Sequence, residues 1–132
     1  MTVGVLLITH GNLGQELLTT AEGMLGICPL QTNVLAVSGD ADLETMQTTA
    51  KDACRKLNTG EGVLVLTDIY GSTPSNIANH LLDLPKVAVI AGVNQPMLIR
   101  VMNYPALDLQ EMVIKAISGG HDGIVLCNDM QK

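Results

Sequence analysis

Two ionisable side chains in this sequence each follow a short apolar segment of strand length. His10 comes directly after Val3–Thr9. Asp68 comes directly after Gly62–Thr67. A carboxylate that accepts a hydrogen bond from one imidazole nitrogen fixes the ring tautomer and leaves the lone pair of the other nitrogen free. If the fold brings the two side chains together, His10 has the chemistry of an oriented nucleophile.

A predicted helix starts a few residues after Asp68. This start offers two hydroxyls and exposed backbone N–H groups, from Gly71, Ser72 and Thr73. Helix N-termini favour anions such as phosphate, because free N–H groups and the helix dipole point at the ligand. Each residue also has an ordinary use in turns and caps. Their combination with an oriented imidazole predicts a phosphorylated histidine, with His10 and Asp68 as catalytic residues and 71–73 as phosphate-binding residues.

Apolar segments of strand length alternate with segments of helical period along the chain. The predicted strands are Val3–Thr9, Asn33–Val37, Gly62–Thr67, Lys86–Ala91 and a short fifth strand, Gly123–Cys127. The predicted helices cover about 13–25, 43–57, 74–82, 95–102 and 107–118, with an Asn12–Gln15 capping box before the first, Thr73 as N-cap of the third and Gly119-Gly120 ending the last. This alternation predicts an α/β fold with a doubly wound, mainly parallel sheet.

The predicted topology places the two ionisable residues side by side. In the flavodoxin-like strand order 2-1-3-4, with helices on both faces, the first and third strands are neighbours. The strand order reverses between them, and ligands bind beyond the carboxyl ends of the strands at such a switch point. His10 and Asp68 follow these two strands, so we expect them to meet in one crevice.

Composition narrows the class of protein. A chain of 132 residues with 47% hydrophobic content suits one domain over 1–132. Thirteen acidic residues against seven basic ones, with 2% aromatics, argue against nucleic acids and anionic membranes as partners.

The absence of a signal-peptide pattern or a long apolar run favours a cytoplasmic location. No group of His, Cys, Asp and Glu residues has the spacing of metal ligands, so no metal site is predicted. His80 and His121 are expected at the surface. The three cysteines are expected to be reduced core thiols.

Three sequence blocks resemble those of the mannose-family enzyme IIA of the bacterial phosphoenolpyruvate:sugar phosphotransferase system (PTS). The blocks are GVLLITHGNLGQELLTTAEGMLG, GVLVLTDIYGSTPSN and VIAGVNQPML. The resemblance implies that His10 accepts a phosphoryl group from the histidine phosphocarrier protein and passes it to enzyme IIB, without a cofactor, while Asp68 orients His10. The family serine before the proline is Thr73 here, and Ser72 replaces a glycine, which leaves open which hydroxyl contacts phosphate.

The resemblance also carries expectations about assembly. Family members form homodimers by exchanging their last strand, which would be Gly123–Cys127 here. Many relatives continue into a IIB domain, whereas this sequence ends at Lys132, so its IIB partner is expected to be a separate protein. Contact with the membrane is then expected only indirectly, through the permease complex.

Three alternatives compete with sugar uptake. A regulatory phosphoprotein would use His10 to report phosphoenolpyruvate supply to a partner without sugar transport. A histidine phosphatase is disfavoured because its motif has arginine where Thr9 stands. The related phosphoryl donor of dihydroxyacetone kinase tends to have serine where Gly11 stands.

Overall fold

Four strands form one parallel sheet in the computed structural model, which describes residues 1–128. In chain order, the elements are β1 (Gly4–His10), α1 (Leu13–Leu25), β2 (Thr32–Val37), α2 (Leu43–Leu57), β3 (Val63–Thr67), α3 (Thr73–His80) with a 3-10 turn (Leu81–Asp83), β4 (Val87–Ala91), α4 (Gln95–Met102) and α5 (Leu109–Asp122). The strand order is β2-β1-β3-β4, and every pairing is parallel. The predicted α/β class and the order 2-1-3-4 are confirmed.

Helices cover both faces of the sheet, which explains the continuous apolar strands. On β1, Val5 and Leu7 pack towards α1, α4 and α5. Leu6 and Ile8 pack towards α2 and α3 on the opposite face. All four side chains are fully buried, and such burial stabilises the fold by about 1.5–3 kcal/mol for each large aliphatic side chain. β1 is therefore a rigid central strand, and its last residue is held at a fixed place.

Two predicted helix starts differ from the structure in their caps. The side chain of Asn12 makes no capping hydrogen bond, so the predicted capping box of α1 is wrong. Thr9 takes over this role, because its Oγ1 accepts the Gly14 N–H at 2.8 Å. In α3 the N-cap is Ser72, one residue earlier than predicted, and Thr73 is the first helical residue.

The last helix does not stop at its two glycines, as the sequence predicted, but continues to Asp122. The glycines serve close packing between α5 and α4. A Cβ added at Gly119 would lie 2.4 Å from the Arg100 Cβ, and one at Gly120 would lie 2.9 Å from the Met97 Cε. The helix tolerates them because this approach compensates for their low helix propensity.

The predicted fifth strand, Gly123–Cys127, is not a strand in the structure. Its apolar residues Ile124, Val125 and Leu126 are exposed, and β4 pairs only with β3 within residues 1–128. A strand needs a neighbour for its ladder, and within residues 1–128 this segment pairs with none.

The cysteines also differ from expectation, because Cys54 is buried whereas Cys28 and Cys127 are exposed. None of the described helices is long and apolar enough to cross a membrane.

Candidate active site

The structure places His10 and Asp68 in direct contact at the carboxyl edge of the sheet. Asp68 Oδ2 accepts two hydrogen bonds from one residue, the His10 backbone N–H at 2.9 Å and the His10 Nδ1 at 2.8 Å. Asp68 Oδ1 accepts the Ile69 N–H at 2.9 Å. The parallel pairing of β1 with β3 brings these residues together although they are far apart in sequence. His10 is thus held to the carboxylate by both its backbone and its ring.

The charge of Asp68 and the tautomer of a neutral His10 ring follow from these contacts. Burial raises the pKa of the Asp68 carboxyl. The hydrogen bonds from His10 and Ile69 lower this pKa by more than burial raises it, so the pKa lies below its usual value. A carboxylate can only accept, so His10 Nδ1 carries the hydrogen and Nε2 of the neutral ring keeps its lone pair. The Asp68 side chain is 8% exposed and that of His10 is 51% exposed. Nε2 therefore belongs to an accessible ring that is held by a buried carboxylate.

Backbone contacts from the next loop hold Asp68 in place. The Gly92 N–H donates to the Asp68 carbonyl at 2.7 Å, and the Val93 N–H donates to the Thr67 carbonyl at 3.0 Å. Gly92 follows β4 and has φ +90°, a conformation that favours glycine. The sequence reasoning did not identify this role. A glycine directly after a predicted strand was the available signal.

The chain turns sharply after His10. Gly11 has φ +49°, and its N–H donates to the Val37 carbonyl at 3.0 Å. A Cβ at Gly11 would meet no atom within 4 Å, so the requirement for glycine is conformational and not steric. The space beside the imidazole is open to a partner.

Two of the three predicted phosphate-binding residues use their donors within their own loop. The Gly71 N–H donates to Ser75 Oγ at 3.3 Å. The Ser72 hydroxyl donates to the Ile69 carbonyl at 2.6 Å, and the Ser72 N–H donates to the same oxygen at 3.2 Å. These bonds shape the turn that follows Asp68. They leave Ser72 and Gly71 poorly placed to give a hydrogen to phosphate.

Thr73 differs from both neighbours. It is exposed, begins α3, and lines the same cleft as His10. Neither its hydroxyl nor its N–H has a hydrogen-bond partner among residues 1–128. The N-terminus of an eight-residue helix adds its dipole at this point. Thr73 is thus the residue of the three whose donors are free beside the imidazole.

The cleft has a second wall that sequence reasoning missed. It follows β2, which ends at the same edge of the sheet as β1. The cleft volume is about 310 Å³, and the residues of this wall are Val37, Ser38, Gly39, Ala41 and Leu43. The sequence reasoning treated this segment only as a turn, although the carboxyl ends of all parallel strands meet at one edge. The predicted strand order contained the necessary signal.

Large exposed side chains follow both members of the pair closely in the sequence. Ile69 and Tyr70 follow Asp68, Leu13 follows the turn after His10, and Tyr70 is 82% exposed. The other histidines, His80 and His121, are also exposed, as predicted. Within the described part of the chain, no three metal-binding side chains lie close enough to share an ion. The arrangement combines a nucleophilic imidazole, free anion donors and an apolar rim.

Comparison with known proteins agrees with this geometry. Residues 4–118 match the EIIA-man family, described as the PTS system fructose IIA component. The PTS system mannose-specific EIIAB components of Escherichia coli (strain K12) and Shigella flexneri are 35% identical over 129 residues, 94% of this chain. The chain spans 39% of the length of these curated relatives.

Solved structures share the fold over nearly the whole chain. The mannose/sorbose-specific IIA subunit from Enterococcus faecalis superposes with a TM-score of 0.84 at 22% identity, covering 97% of this chain and 96% of the other. The PTS IIA protein associated with the fucose utilization operon of Streptococcus pneumoniae gives a TM-score of 0.77 at 26% identity, covering 99% and 96%. Since the family match covers most of the sequence, the chain belongs to the EIIA-man family of PTS IIA components.

Proposed function

We propose that this protein is a phosphohistidine carrier in sugar uptake. His10 accepts a phosphoryl group from the phosphohistidine of the histidine phosphocarrier protein and passes it to an enzyme IIB. The observation that carries the proposal is the 2.8 Å contact between His10 Nδ1 and Asp68, which leaves Nε2 as the nucleophile of an exposed ring. Membership of the EIIA-man family supports the same reaction class.

The transfer follows from the arrangement of the pair. His10 Nε2 forms a bond to phosphorus while the bond between phosphorus and the donor nitrogen breaks on the opposite side. The ring becomes positively charged, and the Asp68 carboxylate stabilises this charge through the Nδ1–H. Transfer to IIB reverses these steps, and the neutral ring is restored. Donor and acceptor are both phosphohistidine nitrogens of similar transfer potential, so positioning accounts for most of the catalysis.

Thr73 supplies the donors for the transferred group in this proposal. Its free hydroxyl and N–H line the cleft with His10, at the positive end of the α3 dipole. No lysine or arginine lines the cleft among the described residues. The phosphoryl group is therefore held by neutral donors, and a group held in this way can leave again to the next acceptor.

The surface around the site suits transient docking of two partners in turn. Exposed Leu43 lines the cleft with His10, and exposed Leu13, Ile69 and Tyr70 lie within three residues of His10 or Asp68 in the sequence. Aromatic residues such as Tyr70 are frequent anchors of protein interfaces. The chain carries a formal net charge of −6, which favours association with partners that present basic surfaces. A cytoplasmic location, with membrane contact only through the permease complex, completes this proposal.

A homodimer is part of the same proposal. The segment 123–127 exposes three large apolar side chains, and the outer edge of β4 has no neighbour within the described residues. An apolar cavity of about 180 Å³ lies beside this edge, lined by residues such as Ile90, Ile117 and Ile124. Exchange of this segment between two copies would give it a ladder and cover β4.

The experiment that tests the function is reconstitution of the transfer. The protein is incubated with phosphoenolpyruvate, enzyme I and the phosphocarrier, and acid-labile phosphate is counted before and after adding a IIB protein. We expect label on the wild type and on His80→Ala, and none on His10→Ala. Asp68→Asn should slow labelling by about 10²- to 10⁴-fold, because the amide favours the wrong tautomer. Full labelling of His10→Ala would refute the proposal, and labelling without passage to any IIB would favour the regulatory alternative.

A further inference from the structure

Thr9 joins the start of α1 to the residue that carries the imidazole. It is fully buried, although it is polar. Its Oγ1 accepts the Gly14 N–H at 2.8 Å and lies 3.4 Å from the His10 carbonyl oxygen, to which its hydrogen can be donated. This is the only side-chain cap that α1 has in the described structure, because Asn12 makes none.

The hydrogen bond from the Gly14 N–H to Thr9 Oγ1 closes the turn that follows His10. Gly14 is buried, and a Cβ there would lie 3.1 Å from Thr9 Oγ1 and 3.3 Å from the Leu7 Cβ, so α1 begins directly on the sheet. The intervening turn contains Gly11 with φ +49°. If the hydroxyl is lost, a buried N–H remains unsatisfied, which favours movement of the helix start away from β1.

Such movement would reach the catalytic pair through the backbone. Asp68 Oδ2 receives both the backbone N–H and the ring Nδ1 of His10, and this arrangement requires one orientation of the peptide between Thr9 and His10. A rotation of that peptide separates the N–H from the carboxylate, so His10 loses the backbone contact that aligns it with Asp68. The hydrogen bond between Nδ1 and Asp68, which sets the tautomer, then loses its fixed geometry.

We propose that Thr9 is a positioning residue for phosphoryl transfer, acting through its hydroxyl on the orientation and tautomer of His10; this inference rests on the proposed function. The side chain of Thr9 lies on the α1 face of the sheet, with Val5 and Leu7, and has no contact with the cleft. It acts by holding the turn and not by touching the phosphoryl group.

The neighbouring strand offers a matched control. Thr67 is also fully buried, also lies near the carboxyl end of a strand, and immediately precedes Asp68 as Thr9 precedes His10. Its Oγ1 has no hydrogen-bond partner in the structure. The same substitution, threonine to valine, therefore removes a bonded hydroxyl at Thr9 and an unbonded one at Thr67. Thr9→Ser keeps the hydroxyl, and Thr9→Ala removes it without adding a methyl group beside the Gly14 N–H.

The test combines two readouts on the full chain. Nitrogen-15 NMR of the unphosphorylated protein reports the tautomer of His10, and the rate of labelling by the phosphocarrier reports transfer. We expect mixed tautomers and a rate lower by about 10- to 100-fold in Thr9→Val and Thr9→Ala. We expect Thr9→Ser and Thr67→Val to match the wild type in both readouts.

The outcomes separate this inference from the proposed function. A wild-type tautomer and rate in Thr9→Ala overturn the positioning role, as does an equal loss in Thr67→Val. If Thr9→Val does not fold, as judged by circular dichroism, Thr9→Ala decides alone. If the wild type accepts no phosphate, the proposed function fails, but the NMR comparison still shows whether Thr9 orients His10.

Discussion

At the scale of residues, the site combines two side chains with unequal access to water. Asp68 is buried and shares one oxygen between two His10 donors, whereas the imidazole of His10 is half exposed. The sequence predicted that these residues meet, because both follow apolar strands that the strand order makes neighbours. It could not decide between Ser72 and Thr73, because their hydrogen bonds depend on the shape of the loop after Asp68. The structure shows that the Ser72 hydroxyl is engaged with Ile69.

This difference predicts unequal effects of two substitutions. Thr73→Val should lower the rate of phosphoryl transfer by about 10²-fold, as expected for loss of one donor to a developing anion, and Thr73→Ser should retain most of the rate. Ser72→Ala should keep the rate and lower the free energy of unfolding by about 0.5–1.5 kcal/mol, because one loop hydrogen bond is lost. Transfer kinetics and urea unfolding of each variant provide the comparison. A larger loss of rate in Ser72→Ala than in Thr73→Val would reverse the assignment.

The lowered pKa of Asp68 predicts an acid dependence of stability. An aspartate whose pKa is lower in the folded than in the unfolded state, where it is about 3.9, contributes stability above that unfolded value. This contribution is lost as the pH falls through the folded pKa. Urea unfolding between pH 6 and pH 2 should therefore show a flatter decline for Asp68→Asn than for the wild type. Identical curves for the two proteins would show that Asp68 gains nothing from its hydrogen bonds.

At the scale of elements, the helix termini were the least predictable feature. Hydrophobic periodicity indicates where a helix has its buried face, and α1 and α4 were predicted with their observed ends. Caps depend on contacts distant in space or on loop geometry, so Thr9 replaced Asn12 at α1. Gly119 and Gly120 suggested a helix end because local propensity ignores the neighbouring helix. Their function is the close approach to α4, which only the packing reveals.

The packing of α5 on α4 predicts opposite effects of one substitution at two sites. Gly119→Ala places a Cβ 2.4 Å from the Arg100 Cβ, so we expect a loss of about 1–3 kcal/mol in the free energy of unfolding despite better helix propensity. Gly23 lies inside α1 with no atom within 4 Å of its added Cβ, so Gly23→Ala should gain about 0.4–1 kcal/mol. Thermal and urea unfolding measure both. Stabilisation of the protein by Gly119→Ala would contradict this interface.

At the scale of the whole molecule, the sequence predicted the class, the strand order and the position of the site at the switch point. These features follow from apolar periodicity and from the rule that ligands bind where the strand order reverses. Apolar character alone could not predict whether Gly123–Cys127 forms a strand, because a strand also needs a neighbouring strand with which to pair. Within residues 1–128 the segment pairs with no strand, and the proposed homodimer would give it a partner.

The proposed exchange predicts the oligomeric state. Sedimentation velocity at micromolar concentration should give the mass of two copies for the full chain. Val125→Asp should give a monomer, because a carboxylate in the exchanged segment would be buried without a partner. Ile27→Asp replaces an equally exposed apolar residue between α1 and β2, and it should leave the dimer intact. A monomeric wild type would remove the homodimer from the proposal and leave the His10 site unaffected.

The central claim is that Asp68 holds His10 Nδ1 and leaves Nε2 as the phosphoryl acceptor. The most direct test is nitrogen-15 and phosphorus-31 NMR of the protein after labelling through phosphoenolpyruvate, enzyme I and the phosphocarrier, with mass spectrometry to locate the modified residue. We expect one phosphate, on Nε2 of His10, with the hydrogen on Nδ1. Phosphate on Nδ1 of His10, or on His80 or His121, would contradict it.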